Sequence, residues 1–320
     1  RPSAAELAEL AELTTFADCG PAHAAAIAYM RWRRDEAVAA DASLAPSAEM
    51  AADLRLHRFL ISTKWDAAAA ADAYVTALGW RRDKKMDALR DRIVRSNPSF
   101  FVGGACGGDA PAVLDVLYVG EHDAATQQVQ PRTFTREGSD GRHNLLLDRL
   151  GNLVVIECPG LVDNAGIFAL GTAKWTESFL AGTELTVLML DELSRRQGRL
   201  ALTCKILDMQ GMKLLKAFMS KEEKEGERAF KDAGSQVSAA YPTTTFKMLL
   251  LNLPGASMAG PIIKSMAPAR SAKKFEILSS KTALTQIQTY VEPANLPHKL
   301  GGELPDGVQW GTGGKKSPRR

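Results

Sequence analysis

The residues whose types and spacing could carry out bond chemistry are few. Gly255-Ala-Ser257-Met-Ala259 follows an apolar run and opens a helical one, imitating the elbow that raises the nucleophilic serine of α/β-hydrolases. The last glycine of that motif is Ala259 here, and no aspartate lies between Ser257 and His298, which leaves Glu276 or Glu292 to orient a base. Pro159-Gly160-Leu161-Val-Asp163 has the look of a GTPase switch, yet no G-x-x-x-x-G-K-[ST] phosphate loop occurs anywhere. Gly103 to Gly108 lacks the G-x-G-x-x-G spacing of a dinucleotide fingerprint, and Gly160 reads more simply as a turn after a strand. Cys19, Cys106, Cys158 and Cys204 stand far apart with no C-x-x-C pair, so neither structural zinc nor a dithiol redox centre is expected. No metal, no cofactor and no enzyme is the resulting expectation, with a hydrolase built on Ser257 as a remote alternative.

Composition narrows the partners. The 320 residues are 45% hydrophobic and 24% charged, with a net charge of +3, too small a balance for a nucleic-acid binder. The longest apolar stretch, Met248 to Ala267, is broken by Asn252, two prolines, two glycines and Lys264, so no membrane-spanning helix is expected. No secretory signal pattern opens the sequence, and reduced thiols suit the cytosol. Arg1 in place of Met leads us to expect further residues before it.

The elements that would position these residues alternate in type. Residues 1–45 read as a helical extension, with two helices separated near Gly20-Pro21 and a cluster of Arg31, Arg33 and Arg34 beside Trp32. Residues 46–95 are helical again: one helix over Met50–Thr63, then a second through Trp80 with Asp66 as its N-cap. Residues 96–144 are glycine-rich and read as a surface insertion around an apolar piece, Val113 to Val119. Residues 145–305 alternate strands (Leu153–Glu157, Leu200–Asp208, Lys247–Leu253, Lys274–Leu278) with helix-length connections, the pattern of an α/β sheet with parallel pairs. The tail 306–320 is poor in apolar residues, ends in basic ones and is expected to be disordered.

In this frame five motifs occur in a familiar order. Leu56-His57-Arg58-Phe59-Leu60 with Lys64-Trp65-Asp66 and Trp80-Arg81-Arg82, then Gly151-Asn-Leu-Val-Val-Ile-Glu157, resemble CRAL-TRIO proteins of the secretory-pathway phosphatidylinositol-transfer type. Cys204-Lys-Ile-Leu-Asp208-Met-Gln-Gly211 is similar to the central strand of that family. Tyr241-Pro242 through Asn252-Leu-Pro254 is similar to the strand before its gate helix, and Asn295-Leu-Pro to Gly302 to its closing segment. The resemblance covers residues 50–95 and about 145–303.

It implies a mixed, partly parallel sheet flooring an apolar lipid cavity, closed by a mobile gate helix and preceded by an all-helical N-terminal subdomain. The gate would span about Ala256 to Ala267, offering Met258, Ile262, Ile263 and Met266, with Pro261 inside it. Family positions that contact a phosphatidylinositol head group correspond to Arg58, Thr243, Ser271 and Lys274. Thr243 replaces the usual glutamate, which weakens the inositol claim but leaves a phosphate-bearing lipid. Family positions that contact phosphatidylcholine correspond to Thr203 and Lys205, and a lysine there permits an acidic ligand or else reaches solvent on the other face. The implied activity is binding of one phospholipid and its exchange at a membrane touched transiently near Lys264 and Arg270. Carriage of a retinoid or tocopherol, and a lipid-sensing adaptor with a protein partner at residues 1–45, are the alternatives. The expected location is cytoplasmic, peripheral to membranes.

Overall fold

The structure, a computed structural model, describes residues 21–101, 112–117, 123–130, 132–211, 220–253, 274–279 and 281–306. The expected gate with Met258, Ile262, Ile263 and Met266 lies outside the described residues, as do Ser257, Lys264, Arg270, Ser271, the first N-terminal helix and the tail from 307.

Residues 21–101 are helical: α1 (Pro21–Ala40), α2 (Ala48–Ala51), α3 (Asp53–Ser62), α4 (Ala67–Asp83), α5 (Met86–Ser96) and α6 (Pro98–Phe101). The single helix expected over Met50–Thr63 is instead α2 and α3, divided at Ala52, whose extended ψ of 144° breaks the helical run. Asp66 caps α4 as the sequence predicts, its Oδ1 accepting from the Ala69 amide at 3.0 Å. Helix α3 is buried on every side from Leu54 to Ile61. Its arginines therefore have to find partners inside the protein.

Among the described residues eight strands follow: β1 (Val113–Leu114), β2 (Arg132–Thr133), β3 (Thr135–Glu137), β4 (His143–Leu145), β5 (Leu153–Glu157), β6 (Thr203–Asp208), β7 (Thr245–Leu251) and β8 (Phe275–Ile277). The first, third and fourth form a small antiparallel sheet in the order β1-β4-β3. The main sheet runs β2-β5-β6-β7-β8, parallel from β5 to β8, with β2 antiparallel on the edge. The 96–144 segment is thus not only a surface insertion. Its residues 132–133 supply a strand of the main sheet, a pairing two residues long that leaves almost no periodic signal in the sequence.

Among the described residues five more α-helices occur: α7 (Asp123–Val129), α8 (Asn164–Leu170), α9 (Thr172–Gln197), α10 (Lys221–Ala240) and α11 (Ala283–Tyr290). One face of the main sheet is sealed. Val154, Ile156, Cys204, Ile206, Leu249 and Leu251 pack there against Ile287, Tyr290, Leu296 and Leu300, all at most 5% exposed. Burying each large apolar side chain contributes about 1.5–3 kcal/mol, so this face anchors the domain. The other face carries α9 and α10 above β5 and β6, and here the packing is incomplete.

Candidate functional site

Strand alternation and register determine what the incompletely packed face presents. Thr203 and Lys205 are two residues apart on β6 and so share a face. Lys205 is in register with Val155 on β5, Met248 on β7 and, one strand further, Phe275 on β8. Leu207, Leu250 and Ile277 form the next row. Leu207, Met248, Phe275 and Ile277 are only half-buried, whereas the opposite face of the same strands is closed.

Over the β5–β6 end of this face lies a cavity of about 250 Å³. Its floor is Val155, Glu157, Thr203 and Lys205. Its roof is Phe179, Thr183, Thr186 and Val187 of α9 with Phe230, Gly234, Val237 and Ser238 of α10, and Gln130, Arg132 and Phe134 close the side at β2. Pockets for drug-sized ligands run from about 300 to 1,000 Å³, so this hollow has room for one end of a large ligand and not the whole of it. It is also less oily than expected, because hydroxyls and three charged groups share it with the aromatic rings.

The polar residues are held by identifiable partners. A register shift between Thr203 and Cys204 brings the Thr203 hydroxyl to the Thr244 carbonyl at 3.0 Å and to Thr245 Oγ1 at 3.3 Å. Lys205 Nζ stands 3.5 Å from Glu157 Oε1, a long pair with both side chains partly exposed. Lys205 therefore points to the cavity side and not to solvent on the other face. Tyr241 completes the wall, its hydroxyl donating to Glu184 and accepting from Arg81 Nη1 at 2.9 Å. Arg81 in turn grips both Glu184 oxygens at 2.9 Å and Asp87 at 2.6 Å, tying α4 to α9 behind the ring. Burial first, and the Glu184 charge second, hold the Tyr241 phenol well above its ordinary pKa, so the ring remains neutral.

The other expected contacts sit elsewhere. Arg58 is 1% exposed, with Nη1 donating to the Thr243 carbonyl at 2.8 Å and Nη2 to the Ala201 carbonyl at 3.1 Å. Asp191 and Ser194 lie at 3.3 and 3.4 Å from the same guanidinium. Thr243 returns a bond from its hydroxyl to the Arg58 carbonyl at 3.0 Å, so the two residues clasp α3 to the turn before β7. Burial draws the Arg58 pKa down and the Asp191 charge opposes it. Lys274 donates to the Thr245 carbonyl at the β7–β8 edge. Neither Arg58, Thr243 nor Lys274 lines the cavity, while Thr203 and Lys205 do.

The arginines of α1 are likewise engaged, Arg31 with Asp53 at 2.6 Å, Arg33 with Asp72 at 2.9 Å and Arg34 with Asp35 at 2.8 Å. His298 Nδ1 lies 2.9 Å from the Gly302 carbonyl, Glu276 accepts from the Tyr290 hydroxyl, and Glu292 pairs with Arg149. Neither carboxylate orients His298 as the hydrolase alternative required. Among the described residues no group of three or more acidic, His or Cys side chains could hold a metal, and no helix is long and apolar enough to cross a membrane.

Sequence reasoning missed Arg132 and Glu157. Arg132 sits in the glycine-rich segment whose sequence suggests an insertion, and the run Leu153–Glu157 marks Glu157 only as the end of a strand. The register that makes them neighbours is not written in either segment alone.

Residues 147–302 match the family model described as CRAL/TRIO domain. The chain carries a CRAL/TRIO domain. The solved structure titled "Crystal structure of Sfh5" is similar over 91% of this chain and 90% of that one, with a TM-score of 0.54 and 14% identity, a likeness of fold. No curated protein sequence matches the chain. CRAL/TRIO domains in general bind lipids or other hydrophobic molecules, and the cavity here lies within the matched residues except for its β2 side.

Proposed function

We propose that the protein binds a single hydrophobic ligand with a polar end, most simply a phospholipid, and exchanges it with a membrane surface. One observation carries this reading. A single sheet is sealed on one face, and on the other presents a polar cavity that gives way to half-buried Leu207, Met248, Phe275 and Ile277. A sheet face left partly unpacked in this way favours an apolar occupant. The polar end would rest near Thr203 and Lys205, and the apolar part along the rows of β7 and β8.

The energetics suit a carrier. Each CH₂ withdrawn from water is worth ~0.8 kcal/mol. An apolar groove that matches the bilayer interior makes exchange nearly neutral, and selection falls to the few polar contacts. Phosphatidylinositol as the particular ligand draws its support from Arg58, Thr243, Ser271 and Lys274. Of these, Arg58 and Thr243 act in the structure by holding α3 to the sheet. We therefore place the ligand contacts at the cavity residues. Catalysis has no support from the described residues, and a cytoplasmic, peripheral location follows only from the carrier reading.

The test is mass spectrometry of organic extracts from the purified protein, followed by transfer between donor and acceptor vesicles. One lipid per chain, and transfer faster than spontaneous desorption, are expected. Protein that yields no hydrophobic molecule and moves none between vesicles would refute the proposal.

A further inference from the structure

The sheet register brings three charges together beneath α9. Arg132 and Glu157 are direct partners across the antiparallel β2–β5 pair, so their side chains share a face. Lys205 approaches Glu157 from the next strand at 3.5 Å. All three line the cavity, and among the described residues no other charged side chain does.

The helix above is shaped to admit the arginine. A Cβ built on Gly182 would lie 1.5 Å from Arg132 Nη2 and 2.7 Å from its Cζ. Helix interiors disfavour glycine, and Gly182 sits near the middle of the 26-residue α9. The missing side chain is what gives the guanidinium its seat. The Arg132 Cζ also stands 5.8 Å from the centre of the Phe134 ring, which steadies it from the side.

Among the described lining residues two cations stand against one carboxylate, so their side chains contribute more positive than negative charge to the cavity. In a space partly screened from water, that lining favours an anionic occupant over a quaternary ammonium. A guanidinium fork matches the geometry of carboxylate or phosphate oxygens, and the lysine adds a second charge-assisted donor. Phe179, Phe230 and Tyr241 supply the apolar surround.

We propose that Arg132, seated in the notch at Gly182, and Lys205 form an anion clamp that selects ligands ending in a carboxylate or phosphate monoester over choline lipids. The proposal rests on the cavity being the ligand site, and it names the head-group chemistry of that site. Gly182 is a positioning residue, and Arg132 is the residue that touches the anion.

The experiment incubates the full chain with vesicles equimolar in phosphatidic acid and phosphatidylcholine, then quantifies both lipids in the recovered protein. Wild type enriches phosphatidic acid. Both Arg132→Gln and Gly182→Ala lower that enrichment by about tenfold, the loss expected for one charge-assisted contact. Circular dichroism melts establish that each variant is folded, and if Gly182→Ala is not, Arg132→Gln decides alone. Equal uptake of the two lipids by wild type, or unchanged enrichment in Arg132→Gln, overturns the clamp while leaving the lipid reading standing. Calorimetric titration with inorganic phosphate separates the sources. Phosphate binding that Arg132→Gln abolishes, in a protein that recovers no lipid at all, keeps the anion clamp and overturns the lipid reading. A protein that binds neither phosphate nor lipid overturns both.

Discussion

Asp191 bridges the helical N-terminal part and the sheet domain, and its replacement by asparagine should be severe. Asp191 is 1% exposed and faces Arg55 Nε at 2.5 Å and Arg58 Nε at 3.3 Å, which are themselves 2% and 1% exposed. Arg55 Nη2 already lacks a hydrogen-bond partner. Neutralising Asp191 leaves two buried guanidinium groups without their shared counter-charge. Breaking a buried ion pair from one side costs about 3–5 kcal/mol. At ~2–4 °C per kcal/mol for a domain of this size, the melting temperature should fall by roughly 6–20 °C. Asp140→Asn is the internal control. Asp140 pairs with Arg142 at 2.7 Å with both side chains about half exposed, and such pairs contribute ~0–1 kcal/mol. Urea unfolding of both variants, with unchanged m-values, measures the difference. A loss below about 1 kcal/mol in Asp191→Asn would mean that α3 is not held by this cluster, and the structural role given to Arg58 would fail.

Other consequences are equally direct. Burial raises the Asp148 carboxyl to about 6, so the folded protein keeps a proton that the unfolded chain releases near pH 4. Stability should therefore fall as pH rises from about 4 to about 6 and level off above, and Asp148→Asn should flatten that slope in urea midpoints measured across the range. Parallel profiles for the two proteins would contradict it. Gly226→Ala should destabilise by about 1–3 kcal/mol, because the new Cβ would lie 1.9 Å from the Asn164 carbonyl of α8. Gly79→Ala, with nothing within 4 Å of its Cβ, should stabilise α4 by about 0.5–1 kcal/mol, and thermal melts of the pair check both signs. Ser220→Ala removes half of a complete capping box on α10 and should cost about 1 kcal/mol of stability. Hydrogen exchange in the first turn of α10 would report the loss locally.

How far the sequence could be read depends on whether each signal is local. The parallel strands stood out because runs such as Leu153–Ile156 are buried on both faces and continuously apolar, and the structure places β5 there, ending one residue on at Glu157. The Asp66 cap was legible because its bond spans only three residues. Arg58 illustrates the opposite case. Its residue type fits a phosphate contact equally well as a structural clasp, and the difference lies in Asp191 and Thr243, more than 130 residues away. Arg132 was hidden for a related reason, since a two-residue edge strand has no periodicity and its seat at Gly182 is distant in sequence. The break at Ala52 went unseen because alanine favours helix, and tertiary packing overrode that preference.

Photolabelling tests the central claim most directly. A lipid carrying a diazirine near its polar end would be loaded into the protein from vesicles, irradiated, and the modified peptides identified by mass spectrometry. The account predicts labels on the cavity walls, in the stretches Phe179–Val187, Thr203–Lys205 and Phe230–Tyr241. Labels confined to α1, α4 and α5, with none on β6, α9 or α10, would contradict it.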